Sequence, residues 1–161
     1  MLGPLRGLKV RLLLEPGRAI VGPSGILLTR VLYRKTNGSK RFVIVDAAMN
    51  DLLRPALYGA QHQILPVAPA ARDAGNETVD VVGPICETGD FLARGVRLPA
   101  VPEGALLAVL DAGAYGASLG SNYNSRVKPP EILVDGKTAR LIRRRESAAD
   151  LMRLESAAVN A

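Results

Sequence analysis

At 161 residues, 48% of them hydrophobic, the chain is long enough for one domain with its own core, which must be largely aliphatic because aromatics make up 4% and Trp is absent. The net charge of +6 comes from scattered lysines and arginines and one run, Arg143, Arg144 and Arg145, without stacking aromatics among them, a pattern of a solvated face rather than of a nucleic-acid surface. The lone Cys86 excludes an internal disulfide, no apolar run approaches the ~20 residues of a membrane span, and Met1 to Arg6 lack a signal-like core, so the expectation is a cytoplasmic protein without a membrane partner.

In chain order, Lys9 to Leu14 reads as a strand closed by Glu15-Pro16-Gly17. Arg18 to Val21 is a candidate short helix, broken by Gly22-Pro23-Ser24-Gly25. Ile26 to Arg34 and Arg41 to Asp46 alternate as strands about an Asn37-Gly38 turn signal. Asp51 to Tyr58 is helix-like, with Asn50 or Asp51 as its cap, and Pro55 limits it to a short piece unless it sits in the first turn. Ile64 to Val67 and Thr78 to Val82 are short strands joined by a Pro-, Ala- and Gly-rich loop or hairpin, and the only histidine, His62, reads as a polar strand residue. Gly83-Pro84 then puts Cys86 and Glu87 on a loop at a strand end. Ala105 to Leu110 is another strand, followed by a small-residue stretch, Ala112 to Gly120, that permits close backbone approach. Glu131 to Val134 and Ala139 to Arg143 flank Asp135-Gly136 as a second hairpin, and Ser147 to Leu154 reads as a helix starting near Glu146 or Ser147. Short strands with Gly and Pro turns make a mainly β fold, a barrel or sandwich.

Four groups carry candidate chemistry. Glycine at Glu15-Pro16-Gly17-Arg18 lets backbone N–H groups meet an anion, and the arginine suits a carboxylate; the plainer alternative is a turn with a surface arginine. Arg54 and Tyr58, four apart, share a helix face fitted to an acidic group, or form part of a salt-bridged surface. Cys86 beside Glu87 offers a thiol proton donor, or a buried inert cysteine. Tyr115 among small residues reaches a ligand unhindered, or packs in the core with its hydroxyl satisfied. Neither a second cysteine nor clustered histidines support a metal site.

Together the strings EPGR (Glu15 to Arg18), VDAAMNDLLRPALYGA (Val45 to Ala60), VVGPICETGDFLA (Val81 to Ala93) and DAGAYGASLGSNYNSR (Asp111 to Arg126) resemble the diaminopimelate decarboxylases, members of the fold-type III pyridoxal-phosphate enzymes. Their order and spacing match from about Leu12 to Leu151, with Ala48 where the family usually has Gly and Thr88 where Ser is common. The resemblance implies a C-terminal β domain over 26–146, with 1–25 a remnant of the last strand of a (β/α) barrel and 147–161 a helical tail. It implies pyridoxal 5'-phosphate as cofactor, bound near Glu15, Pro16, Gly17, Arg18 and Tyr115. It also implies that Arg18, Arg54, Tyr58, Glu87 and Tyr115 bind meso-diaminopimelate, while Cys86 returns the proton after CO2 leaves. Family members are homodimers whose cysteine loop reaches the partner's site, so a homodimer, or pairing with a barrel-bearing chain, is expected. The family's cofactor lysine, glycine-rich phosphate loop and ring-stacking histidine have no match here, and neither Lys35 nor Lys40 stands in for that lysine. The expectation is therefore a portion inactive by itself; the alternative is a non-catalytic dimerisation or regulatory partner of an intact decarboxylase.

Overall fold

The computed structural model describes residues 3, 7, 9, 11–69 and 75–159. Eight strands and three short-to-medium helices follow one another as α1 (Gly17–Val21), β1 (Leu27–Asn37), β2 (Lys40–Val45), α2 (Arg54–Tyr58), β3 (Ile64–Pro66), β4 (Asn76–Val82), β5 (Phe91–Pro99), β6 (Leu106–Val109), β7 (Glu131–Asp135), β8 (Thr138–Arg143) and α3 (Ala148–Val159). The first six strands form one sheet in the order β3-β6-β1-β2-β4-β5, and β7 pairs only with β8. All neighbours run antiparallel except β2 and β4. The sheet curls into a nearly closed barrel, its two edge strands β3 and β5 facing one another across a cleft lined by Ile64, Leu65, Pro66, Val96, Arg97 and Pro99.

The core follows from the two-residue period of the strands. Val43 and Val45 of β2, Val79 and Val81 of β4, Leu92 and Leu98 of β5, and Leu107 and Val109 of β6 are buried, and Val31 of β1 and Leu52 join them. This is the aliphatic core that scarce aromatics require. Polar cross-links tie the strands outside it. Arg34 pairs closely with Glu77, and Arg41 reaches the same carboxylate at 3.5 Å.

Both hairpins form one residue later than their turn signals. Asn37 pairs with Lys40 and Asp135 with Thr138, so Gly38 and Gly136 each take the first central turn position at φ +57°. That geometry favours glycine and leaves Asn37 and Asp135 inside the strands.

Other expectations are corrected. No strand forms over the described part of Lys9 to Leu14; residues 11–16 have no sheet neighbour, and Val10 lies outside the described residues. Leu13 there is 78% exposed. Without a neighbouring strand, an apolar run has nothing to pair with. Neither Asn50 nor Asp51 caps α2: the N-cap is Leu53, Pro55 lies in the first turn, and Gly59 closes the helix at φ +62°. Of the two readings of the stretch after β3, loop or hairpin, the hairpin does not form, because β3 pairs with β6 while β4 pairs with β2 and β5; its residues 70–74 lie outside the described ones. β5, unread in the sequence, follows the cysteine loop, with Arg94 stacked over its own Phe91 ring.

Candidate functional site

Three connections meet at one end of the barrel: 46–53 between β2 and α2, 83–90 between β4 and β5, and 110–126 after β6. A buried carboxylate joins the first two. Asp90 Oδ1 accepts from the Met49 N–H at 2.7 Å and Oδ2 from the Ile85 N–H at 2.7 Å. Gly83 makes room for it, since a Cβ there would stand 2.5 and 2.6 Å from the two carboxylate oxygens. Asn50 joins the third, donating to Ser121 O at 3.1 Å while its own carbonyl accepts the Ser121 N–H at 3.0 Å. Arg126 spans the junction, donating to Asn50 Oδ1 at 3.1 Å and to Asp46 O at 2.6 Å, with Asp51 Oδ2 at 3.7 Å. Burial raises the Asp51 pKa above the ordinary carboxylate value, against the lowering effects of the Ala48 N–H and of Arg126.

On this frame Cys86 and Glu87 stand exposed at the loop surface, so Cys86 is not an inert core thiol. Glu87 Oε1 accepts from the Gly89 N–H at 3.1 Å, and Oε2 accepts from the Tyr123 hydroxyl at 3.3 Å. The negative charge of Glu87, together with that hydrogen bond, raises the Tyr123 pKa. Glu87 and Tyr123 line an open cleft of about 480 Å³ with Met49, Asn50, Leu53 and Ser121. The cleft thus offers an acceptor carboxylate, a phenol and an apolar floor beside an exposed thiol, a combination suited to a chain ending in an ammonium group.

The remaining predicted residues are distributed around it. Arg54 is 8% exposed, and its Nη1 lies 3.3 Å from His62 Nε2 rather than in a surface salt bridge. His62 is itself buried and outside any strand, its Nδ1 2.8 Å from Leu110 O, which corrects the reading of a polar strand residue. Tyr58 is 66% exposed. Tyr115, half exposed rather than in the core, is held at φ +57° in the tight turn after β6. Glu15, Pro16, Gly17 and Arg18 are all exposed at the start of α1, and no carboxylate pairs with Arg18 among the described residues. No hydrogen bond or ion pair joins Arg18, Arg54, Tyr58 or Tyr115 to Glu87 among those residues.

Sequence reading missed Tyr123, Asp90, Arg126 and the partnership of His62 with Arg54. Tyr123 and Arg126 sit inside the string that carries the resemblance, and Asp90 lies four residues beyond Cys86, but only the fold shows what each touches. The described residues contain no cluster of three or more potential metal ligands, and no helix among them is long and apolar enough to cross a membrane.

Comparison with known proteins agrees with this architecture. The profile of the pyridoxal-dependent decarboxylase C-terminal sheet domain, from the ornithine, diaminopimelate and arginine decarboxylases, matches residues 20–113. Diaminopimelate decarboxylase of Neisseria meningitidis serogroup B is 54% identical over 153 residues, covering 95% of this chain and 36% of the relative. That of Aquifex aeolicus is 50% identical over 143 residues, covering 89% and 34%. The chain thus spans about a third of the length of these relatives. Among solved structures, diaminopimelate decarboxylase from Helicobacter pylori complexed with L-lysine superposes with a TM-score of 0.82 at 46% identity, over 98% of this chain and 38% of that one. Lysine/ornithine decarboxylase from Vibrio vulnificus shares the fold, with a TM-score of 0.59 at 18% identity over 66% of this chain and 28% of that one. With its curled sheet, its cysteine loop and these likenesses, the chain belongs to the pyridoxal-dependent decarboxylase family as its C-terminal sheet domain.

Proposed function

We propose that these residues form the substrate-facing wall of a diaminopimelate decarboxylase, converting meso-diaminopimelate to L-lysine and CO2 together with a lysine-bearing barrel. The observation that carries this reading is the exposed Cys86-Glu87 pair, held at an open cleft by the buried Asp90. Residues 1–25 belong with the end of that barrel, 26–146 form the sheet domain and 147–161 its helical tail.

Pyridoxal phosphate fits the donor set of this wall. A Cβ on Gly17 would meet nothing within 4 Å beyond its own helix and chain neighbours, and the exposed Arg18 and Tyr115 have no hydrogen bond or ion pair to a carboxylate among the described residues. Glu15, Pro16, Gly17, Arg18 and Tyr115 would hold it. When bound, the group supplies an electron sink for the bond to CO2. Arg18 holds the carboxylate near the reacting carbon, and Arg54 and Tyr58 hold the distal carboxylate. Glu87 accepts the distal ammonium, and a diacid with two amino groups needs both kinds of binder. Cys86 Sγ–H then delivers the proton to the carbon that has lost CO2. In a homodimer, Cys86 and Glu87 act in the partner's site. A thiol kept reduced for this purpose suits the cytoplasm.

The test is CO2 release from meso-diaminopimelate with pyridoxal phosphate. The 161 residues alone should release none; a mixture with a lysine-bearing barrel should. Cys86→Ala should lower kcat of that mixture by roughly 100-fold or more, the usual scale of general-acid catalysis. A well-folded mixture without release, or an unaffected Cys86→Ala mixture, would count against the reading.

A further inference from the structure

We infer that His62 is a positioning residue, a neutral imidazole that holds the Arg54 guanidinium for the distal end of the substrate. The inference rests on the role proposed above for Arg54.

The geometry leaves one assignment of the ring protons. Leu110 O is a carbonyl and only accepts, and it lies 2.8 Å from His62 Nδ1, so Nδ1 carries the proton. Arg54 Nη1 only donates, and it lies 3.3 Å from Nε2, so Nε2 carries the lone pair. A ring with one proton satisfies both neighbours; a doubly protonated ring would set two cations against each other. Arg54 and His62 are both buried, at 8% and 5% exposure. The residue whose carbonyl orients the ring is itself tied to the chain beside His62, since the Leu110 N–H donates to Gln63 O at 2.9 Å. The link therefore runs from the end of β6 through His62 to the first residue of α2. Of the charged groups packed around it, Arg97 of β5 lines the same cleft as His62, and no carboxylate lies within ion-pair distance of Arg54 among the described residues. Arg54 thus keeps its full positive charge for a ligand while the imidazole fixes where it points. A carboxylate in the place of His62 would fix it equally well but would cancel that charge.

Because His62 is the only histidine, its ring nitrogens are unambiguous in the ¹⁵N spectrum of the intact chain. The expected result at neutral pH is a protonated Nδ1 and an unprotonated Nε2 that accepts a hydrogen bond. Arg54→Met should move the Nε2 resonance downfield, as it loses its donor, and leave Nδ1 protonated. In the mixture with the lysine-bearing barrel, His62→Phe should raise KM for meso-diaminopimelate about tenfold, the scale of losing a hydrogen bond to a charged group, with kcat within about twofold. His62→Gln, which restores an acceptor for Arg54, should recover most of that loss. An Nε2–H tautomer, an Nε2 resonance indifferent to Arg54→Met, or an unchanged KM in His62→Phe would overturn the inference. A wild-type mixture that releases no CO2 would instead sink the decarboxylase reading, leaving the tautomer measurements to decide this one.

Discussion

Asp90 shows how one buried side chain governs the reactive loop. Its two oxygens accept N–H groups from Met49 and Ile85, so it ties the connection leading to α2 to the loop bearing Cys86. Asp90→Asn places an amide donor against one of those N–H groups. It should cost about 1–3 kcal/mol in denaturant unfolding, the price of a buried unsatisfied donor, and should change the alkylation rate of Cys86. A variant with wild-type stability and alkylation would deny Asp90 this role. Asp51, close by, carries a pH signature. Burial raises its folded pKa above the unfolded value, so within the interval between them the folded chain retains a proton that the unfolded chain has lost. Its contribution is thus present below the unfolded pKa and lost as pH rises through the raised one. Urea midpoints followed across mildly acidic pH should fall over that interval in the wild type and less so in Asp51→Asn.

At the scale of elements, helix α3 is started by a reciprocal pair. Ser147 Oγ accepts the Asp150 N–H at 3.3 Å, and Asp150 Oδ2 accepts the Ser147 N–H at 2.7 Å, the arrangement of a capping box. Arg144 binds both oxygens of the same carboxylate, at 2.7 and 2.6 Å. These hydrogen bonds, that from Arg144 first, hold the Asp150 carboxyl well below the usual carboxylate range. Its contribution is therefore present above the unfolded pKa and is lost only as pH falls through the depressed one. Ser147→Ala should cost about 1 kcal/mol of helix stability, read as faster amide exchange in the first turn of α3. A second joint lies where the small-residue stretch after β6 meets the chain entering β1. A Cβ on Gly113 would run into Val21 O and stand 2.8 Å from Gly25 N. Gly113→Ala should destabilise by roughly 1–3 kcal/mol in thermal unfolding, because both neighbours are backbone and cannot rotate aside.

Across the whole molecule, apolar side chains of the segment before α1 and of β1 remain open to water. Leu12, Leu13 and Leu14 are exposed, as are Leu28 and Leu32 on the outer side of β1. A barrel docked there should slow amide exchange over 11–16, where the backbone has no sheet partner; unchanged exchange on mixing would argue that it docks elsewhere. Period-two alternation and Gly turn signals were enough to reveal β1, β2, β4 and both hairpins, because those patterns are local consequences of backbone geometry. The strings around Arg18, Arg54, Cys86 and Tyr115 sufficed to reveal the family. The order of the sheet, the parallel step between β2 and β4 and the absence of a strand at 11–14 were not legible, since each depends on which distant strand is available to pair. Nor was the setting of the site residues. Local sequence marks Arg54 and Tyr58 as neighbours on one helix face, yet the fold buries the first against His62 and leaves the second in solvent. Side-chain chemistry is written residue by residue, whereas burial and hydrogen-bond partners are supplied by segments far away in the chain, and only packing brings those together.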